Sequence, residues 1–340
     1  MKVVVLTTSY PRRPDDVAGV FVRDAVEHLR AAGLEIDVVS PATFRHYGLA
    51  YGHGILGNIG RRPWLALAVP LFLLSFGHAA RKAAQDADVV HAHWLPSALP
   101  ALKTRKPFAL QLWGSDVELA RRARWIVRPL IRRARIVLCP SEALAGAARA
   151  LGAREAHVVP SGVFLPDDVA PPEVPPHVLF VGRLSQEKGI FEFLEATDGM
   201  PRVIVGDGPL RDRVPDAVGF VSPTELGPYY ERAAVVVCPS HREGYGVVAR
   251  EAMAYGRPVV AFAVGGLIDA VEDGITGRLV RGGDVAALRA AIESLLEDAD
   301  LRDRLGDAAR SNARARFSWA AATEATIREY RAIAGMPGDG

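Results

Sequence analysis

Along this chain, short apolar runs rich in Val and Ile alternate with stretches whose apolar residues fall three or four positions apart. Polar loops carrying Gly or Pro separate the two. The short runs read as buried strands and the spaced stretches as helices that cover them. Residues 3–6 form the first such strand and residues 7–19 a polar loop. Residues 21–32 follow as a helix with Phe21, Ala25 and Leu29 on one side, capped by Gly33. A strand at 36–39 completes a βαβ start. Residues 44–62, rich in Gly, Tyr and His, read as loop, and 64–84 as an apolar helix kinked near Pro70. Strands are expected at 89–93, 108–112 and 136–139, with a helix at 121–135 that Pro129 kinks. The pattern then repeats, with strands at 177–181, 203–205, 235–237 and 259–262. Helices begin near 191 and 247, and late helices occupy 284–296 and 320–333. Strands alternating with helices predict parallel sheets and an α/β fold.

A chain of 340 residues is comfortable for two domains. Residues 157–163 close the first. Residues 166–176 carry five prolines and few apolar side chains and read as the linker. The division is therefore 1–163 and 164–317. The sequences Cys139-Pro140-Ser141 and Cys238-Pro239-Ser240 each end an apolar run, which suggests equivalent strands in two similarly built halves.

The apolar share of 49% suffices for two cores, and a net charge of +2 gives no overall field for nucleic acid. Two cysteines form no disulfide framework and fit a reducing cytoplasm. Residues 2–13 read as a first strand and its loop, with no secretory signal. The longest apolar run, 64–76, is short for a membrane span and contains Pro70, so no integral membrane segment is expected. Charge is nevertheless uneven: ten basic residues lie between Lys103 and Arg135 against Asp116 and Glu118. A basic amphipathic helix at 121–135 suits the surface of an anionic bilayer, and the plain alternative is a solvated face over a packed stripe.

Candidate chemistry concentrates between Val235 and Val264. A buried strand runs into a loop, Pro239 to Gly246, and then a helix on which Val248, Glu251, Ala252 and Tyr255 share helical spacing. Free N–H groups at that helix start favour a phosphate, and Gly244 and Gly246 let backbone approach it closely. Carboxylates do not bind phosphate. As acceptors only, Glu243 and Glu251 suit sugar and ribose hydroxyls. Farther upstream, Arg183 and Lys188 flank a turn in the loop 182–189, a workable pair of cations for a diphosphate. Gly206-Asp207-Gly208 is not a dinucleotide fingerprint, because Leu210 and Arg211 stand where a third glycine would open a helix. Two D-x-D pairs, Asp86/Asp88 and Asp298/Asp300, enter a strand and follow a helix respectively, so a metal–diphosphate clamp is not expected there. His91 and His93 point to one side of their strand and lack further ligands for a metal.

Glu243-x7-Glu251 within P-S-H-R-E-G-Y-G-V-V-A-R-E-A-M-A-Y-G-R-P-V-V-A, continued by V-G-G-L-I-D-A-V-E-D-G-I-T-G-R-L-V, resembles the signature of retaining glycosyltransferases of family four. The likeness extends over nearly the whole chain. It implies the GT-B fold, two Rossmann-like doubly wound domains facing across a cleft, with a final helix (318–336) crossing back to the first. It implies a nucleoside-diphosphate sugar donor, a lipid-linked or saccharide acceptor, and no cofactor or bound metal. By the same likeness Glu243, Arg183 and Lys188 serve catalysis. Glu251, Gly19, Gly244, Tyr245, Gly246, Val247 and the base-slot residue Val221 hold the donor. His93, Trp113 and Asp116 lie on the acceptor side. Trp113 stands where many relatives have histidine, so that histidine's role does not transfer. This departure keeps open a silent nucleotide-sugar-binding scaffold; the rival reading among enzymes is a GT-B epimerase or hydrolase that lacks a true acceptor. The expected location is cytoplasmic, with peripheral attachment to the inner face of the membrane.

Overall fold

The computed structural model describes residues 1–336 apart from positions 14, 15, 17, 53, 115, 116, 118, 119, 121 and 122. By its contacts the chain divides into two units: Met1–Ser161 with the segment from Ala322 onward, and Gly162–Ala321.

The first unit holds six parallel strands: β1 (Lys2–Leu6), β2 (Glu35–Val39), β3 (Val89–His93), β4 (Phe108–Gln111), β5 (Ile136–Cys139) and β6 (Ala156–Val158). Their order is β2-β1-β3-β4-β5-β6. Successive side chains of a strand face opposite ways, so β1 feeds two cores. Val3 and Val5 are buried with Val22 and Val26 of α1 (Val20–Ala31). Val4 and Leu6 face a second layer made by α2 (Gly54–Arg61), α3 (Val69–Ala83), α4 (Ala98–Thr104), α5 (Arg124–Ile131) and α6 (Glu142–Ala150).

The second unit holds β7 (Val178–Val181), β8 (Arg202–Val205), β9 (Val235–Cys238), β10 (Val259–Phe262) and β11 (Gly277–Val280), parallel and in the order β11-β10-β9-β7-β8. Its helices are α7 (Ile190–Ala196), α8 (Gly227–Arg232), α9 (Val247–Ala254), α10 (Gly266–Ala270), α11 (Val285–Glu297) and α12 (Ala299–Arg316). The sheet is buried on both faces. Ala249, Ala252 and Met253 of α9 pack on one face, and Phe193 of α7 with Leu288 and Ile292 of α11 pack on the other. The last helix, α13 (Trp319–Ala334), carries Tyr330 and Ile333, which are buried with Val3, Val5 and Val89 of the first sheet.

In each sheet the first strand lies between the second and the third. The strand order therefore reverses between β1 and β3, and again between β7 and β9. Loops leaving the two strands at such a point turn to opposite faces, which leaves an opening at the carboxyl ends of the strands.

Several expectations need correction. Residues 54–61 are helical rather than loop, because Ile55, Leu56 and Ile59 keep helical spacing among three glycines. Pro70 does not kink a helix but starts one: residues 63–68 form a 3-10 turn, and Pro70 stands in the first turn of α3, where its missing N–H costs nothing. Of the helix expected at 121–135, α5 forms Arg124–Ile131 and runs through Pro129, and residues 121 and 122 lie outside those described. The stretch Pro63–Ala83 is long and apolar enough to cross a membrane by length and composition, contrary to the sequence reading. Phe72, Phe76 and Ala80 nevertheless bury one side of it in the first core.

The unit boundaries fall at 161/162 and 321/322, so Val163 belongs to the second unit, where its N–H donates to Phe317 O at 2.8 Å. The proline-rich segment 166–176 is part of that unit rather than a free linker. Arg310 Nη2 donates to Pro166 O (3.0 Å) and Asp167 O (2.7 Å), and Arg257 Nη2 donates to Ala170 O (2.5 Å). The two C-P-S strands are not equivalent, since β9 adjoins the first strand of its sheet whereas β5 lies between β4 and β6. Both cysteines are buried and neither is in a disulfide.

Candidate active site

Three loops meet at the carboxyl ends of β7, β9 and β10. The loop after β7 turns through a 3-10 segment, Gln186–Lys188, into Gly189, which has φ of +72° and opens α7. A Cβ at Gly189 would stand 1.9 Å from the Pro239 carbonyl oxygen, so only glycine lets this loop lie against the one after β9. The contact brings Lys188 Nζ to 2.6 Å from Glu243 Oε2, both side chains partly exposed. Around it the loops are tied by His241 N donating to Glu187 O (2.9 Å) and by Arg242 pairing with Glu187 (3.2 Å). Gly266 N donates to Glu243 O at 2.9 Å, fixing the backbone of Glu243 from the third loop.

Gly246, at φ +81°, precedes α9 with no side-chain cap, so the first N–H groups of Val247, Val248 and Ala249 receive no side-chain acceptor from the cap position. Tyr245 is buried beneath this start and Val247 is exposed on it. One turn along, Glu251 accepts a hydrogen bond from Tyr230 Oη of α8 at 2.6 Å. Burial pushes the Glu251 carboxyl up, and the Tyr230 hydroxyl opposes that shift. Cys238, at the end of β9, is pushed up to about 12 by burial and then by the charge of Glu243, so it stays a thiol and offers no nucleophile.

Arg183 lies in the loop after β7, exposed and with no carboxylate partner among the described residues. Its stem passes Gly208, in the loop after β8. Val221 lies partly buried near the end of the same sheet, where Gly206 N donates to Gly219 O at 2.9 Å. The structure thus joins Lys188 to Glu243 directly. It sets Gly244, Tyr245, Gly246 and Val247 on the adjoining helix start and records no contact between Arg183 and either acid.

Two residues of this site escaped sequence reasoning. Tyr230 orients Glu251. Arg250 is 1% exposed, donates through Nη1 to Tyr245 O and Gly266 O, and lies 3.9 Å from the Tyr245 ring and 4.5 Å from that of Phe317. It braces the turn from below. A cation in phase with the buried Met253 was the available signal.

In the first unit, Gly19 precedes α1 at φ +80°, where a Cβ would meet Ser9 O at 2.5 Å. His93, ending β3, accepts from Trp113 Nε1–H at 3.2 Å through Nδ1, so the neutral ring keeps its proton on Nε2. Phe21 meets Trp113 edge-on at 4.6 Å. Trp94 holds φ 63° and ψ 150°, a conformation strained for any residue but glycine, at the carboxyl end of β3. Asp116 lies outside the described residues. Asp86 and Asp88 are engaged by Lys2, and Asp298 caps α12. Among the described residues, no three or more His, Cys, Asp or Glu side chains group to hold a metal ion.

His91 and His93 lie 4.2 Å apart, both buried, with His91 Nδ1 2.6 Å from Tyr330 Oη. Burial takes His91 down to about 4 and His93 well below 6.5. The unfolded chain therefore binds these protons near pH 6.5 and the folded chain only in stronger acid, so acid favours unfolding. Stability present above pH 6.5 is expected to fall as pH drops toward 4, by up to about 1.4 kcal/mol per pH unit for each histidine. Urea midpoints at pH 7 and pH 5 check this. An unchanged midpoint, or an unchanged pH dependence in His91→Gln, would contradict it.

Comparison with known proteins places the chain in a family. The family described as Glycosyltransferase Family 4 matches residues 18–165, and Glycosyl transferases group 1 matches residues 164–312. A glycogen synthase of Mycobacterium tuberculosis is 31% identical over 289 residues, covering 72% of this chain and 69% of that protein. A D-inositol 3-phosphate glycosyltransferase of Streptomyces coelicolor is 43% identical over 122 residues, 35% of this chain and 26% of that protein. Among solved structures, sucrose-phosphate synthase from Thermosynechococcus elongatus superposes with a TM-score of 0.79 at 23% identity, over 98% of both chains. Anabaena HepE in complex with UDP-glucose gives 0.74 at 19% identity, over 98% of this chain and 100% of that one. With two Rossmann-like domains and both halves matched, the chain belongs to the family 4 glycosyltransferases of the GT-B fold.

Proposed function

We propose that this glycosyltransferase moves a sugar from an α-linked nucleoside-diphosphate sugar to a hydroxyl of a lipid-linked or saccharide acceptor, with retention of configuration and without a metal ion. The observation that carries the reading is the 2.6 Å contact of Lys188 with Glu243 beside the uncapped start of α9. As the bond from the anomeric carbon to the diphosphate lengthens, negative charge builds on the leaving oxygens. A lysine ammonium, the exposed guanidinium of Arg183 and the amides of residues 247–249 form a positive environment for that charge. Glu243 spends one oxygen on Lys188 and keeps the other for sugar hydroxyls. Glu251, oriented by Tyr230, suits the ribose. On the acceptor side, the Nε2–H of His93 and the face of Trp113 offer a polar contact and a stacking surface. The acceptor hydroxyl then attacks from the face the diphosphate leaves and passes its proton to the departing diphosphate oxygen, and no side chain is assigned as a covalent nucleophile. That the HepE structure contains UDP-glucose supports a nucleotide-sugar donor.

A thermal-shift panel of UDP-, GDP- and ADP-sugars, followed by NMR of the product's anomeric proton, tests the proposal. One donor class at a hundredfold excess over its dissociation constant should add about 2.7 kcal/mol of stability. The product should be α-linked and the rate indifferent to EDTA. No stabilisation by any donor, an inverted product, or loss of activity in EDTA would contradict the reading. Sugar release without acceptor would favour a hydrolase, and binding without turnover a scaffold.

A further inference from the structure

The second candidate surface lies far along the chain from the donor site. Trp64, Leu67, Leu71 and Leu74, spaced by three, four and three residues, are 63%, 83%, 50% and 56% exposed. They form an apolar stripe along the 3-10 turn and α3, opposite the buried Leu65, Phe72 and Phe76. Exposed cations bracket the stripe, Arg61 and Arg62 at one end and Arg81 and Lys82 at the other. Between Asp37 and Asp86 the sequence contains no acidic residue.

The same face of the first sheet is covered by α4 and α5, which also lack Asp and Glu. On α5, Trp125 is 80% exposed beside a depression of about 430 Å³ lined by Arg128, Arg132, Arg133 and Arg154. No carboxylate among the described residues pairs with these four arginines.

We infer that this face docks on the surface of an anionic lipid bilayer, with the stripe seated at the headgroup–acyl boundary and the arginines on lipid phosphates. Three observations select that occupant. Interfacial helices combine a tryptophan and leucine face with flanking Arg and Lys, as here. A second copy of the chain is disfavoured by charge: parallel or antiparallel pairing of the stripe sets its basic ends against basic ends, with no acid to offset them. Crossing the bilayer is excluded by the burial of Phe72, Phe76 and Ala80 against the sheet, so the helix lies on the membrane. The inference is independent of donor, acceptor and turnover, so its failure leaves the transferase reading standing, and the reverse holds.

Co-sedimentation of the full chain with vesicles of phosphatidylcholine alone, and of phosphatidylcholine with phosphatidylglycerol, tests it. Binding is expected to the anionic vesicles and to weaken in high salt. Arg61→Ser with Arg62→Ser should weaken partition roughly twentyfold, about fivefold per cation. Leu67→Ser with Leu71→Ser should weaken it by roughly tenfold or more, and these exposed positions leave the core intact. Equal partition of wild type and both double variants, no binding to anionic vesicles, or equal binding to neutral ones would overturn the inference. So would a concentration-dependent dimer in sedimentation equilibrium that Leu67→Glu dissociates, since the stripe would then belong to a second copy.

Discussion

Lys188→Ala is expected to lower turnover by roughly two to three powers of ten, because one preorganised donor to a developing anion is commonly worth about 2.7–4 kcal/mol of barrier. The effect has two parts. The ammonium no longer meets the leaving diphosphate, and Glu243 loses the partner that holds its carboxylate at 2.6 Å. The side chain is partly exposed at the mouth of the loops, so the core of the second unit should survive and circular dichroism should not change. Lys188→Arg keeps the charge but replaces a compact ammonium with a planar fork, and should recover only part of the rate. Arg183→Ala should fall in the same direction by a comparable factor, with no ion pair of its own to lose. Steady-state kinetics check all three. Turnover within a few-fold of wild type for both alanine variants would remove the assignment.

The second large effect belongs to a residue without a side chain. Gly189→Ala should destabilise the protein by roughly 2–4 kcal/mol, combining left-handed backbone strain with overlap against the Pro239 carbonyl at 1.9 Å. The overlap is with backbone, so no rotamer change relieves it, and the loops after β7 and β9 must part. Lys188 is the neighbouring residue, so turnover should also drop by roughly tenfold or more as its contact with Glu243 opens. Gly199→Ala supplies the control: φ is +80° there, but a Cβ meets nothing within 4 Å. It should cost about 1–2 kcal/mol and leave kinetics alone. Equal behaviour of the two variants in chemical denaturation and turnover would show that loop contact is not what Gly189 provides.

How much of this was legible in the sequence follows from which forces are local. The strands Val89–His93, Ile136–Cys139 and Val259–Phe262 have the bounds expected for them, because apolar β-branched runs flanked by polar or proline residues leave little choice. The helix at Gly54–Arg61 was hidden by Gly54, Gly57 and Gly60, whose low helix propensity is outweighed by packing of Ile55 and Ile59 against the first core. Proline was misread twice. Pro70 occupies the tolerant first turn of α3, and the prolines of 166–176 belong to a segment that Arg257 and Arg310 pin to the second unit. The candidate site was readable where glycine and charge spacing carry it, at residues 182–189 and 243–251. The parts that were missed depend on contacts between segments distant in sequence. Tyr230 reaches Glu251 across 21 positions, and Arg250 sits between Tyr245 and Phe317. No spacing within one helix announces such partners.

A crystal structure with the donor nucleotide selected by the thermal-shift panel tests the account most directly. Diphosphate oxygens should lie within hydrogen-bonding distance of Lys188 Nζ and of the amides that open α9, with the carboxylates of Glu243 and Glu251 turned toward sugar and ribose hydroxyls. A diphosphate bound away from both the lysine and the helix start would contradict it.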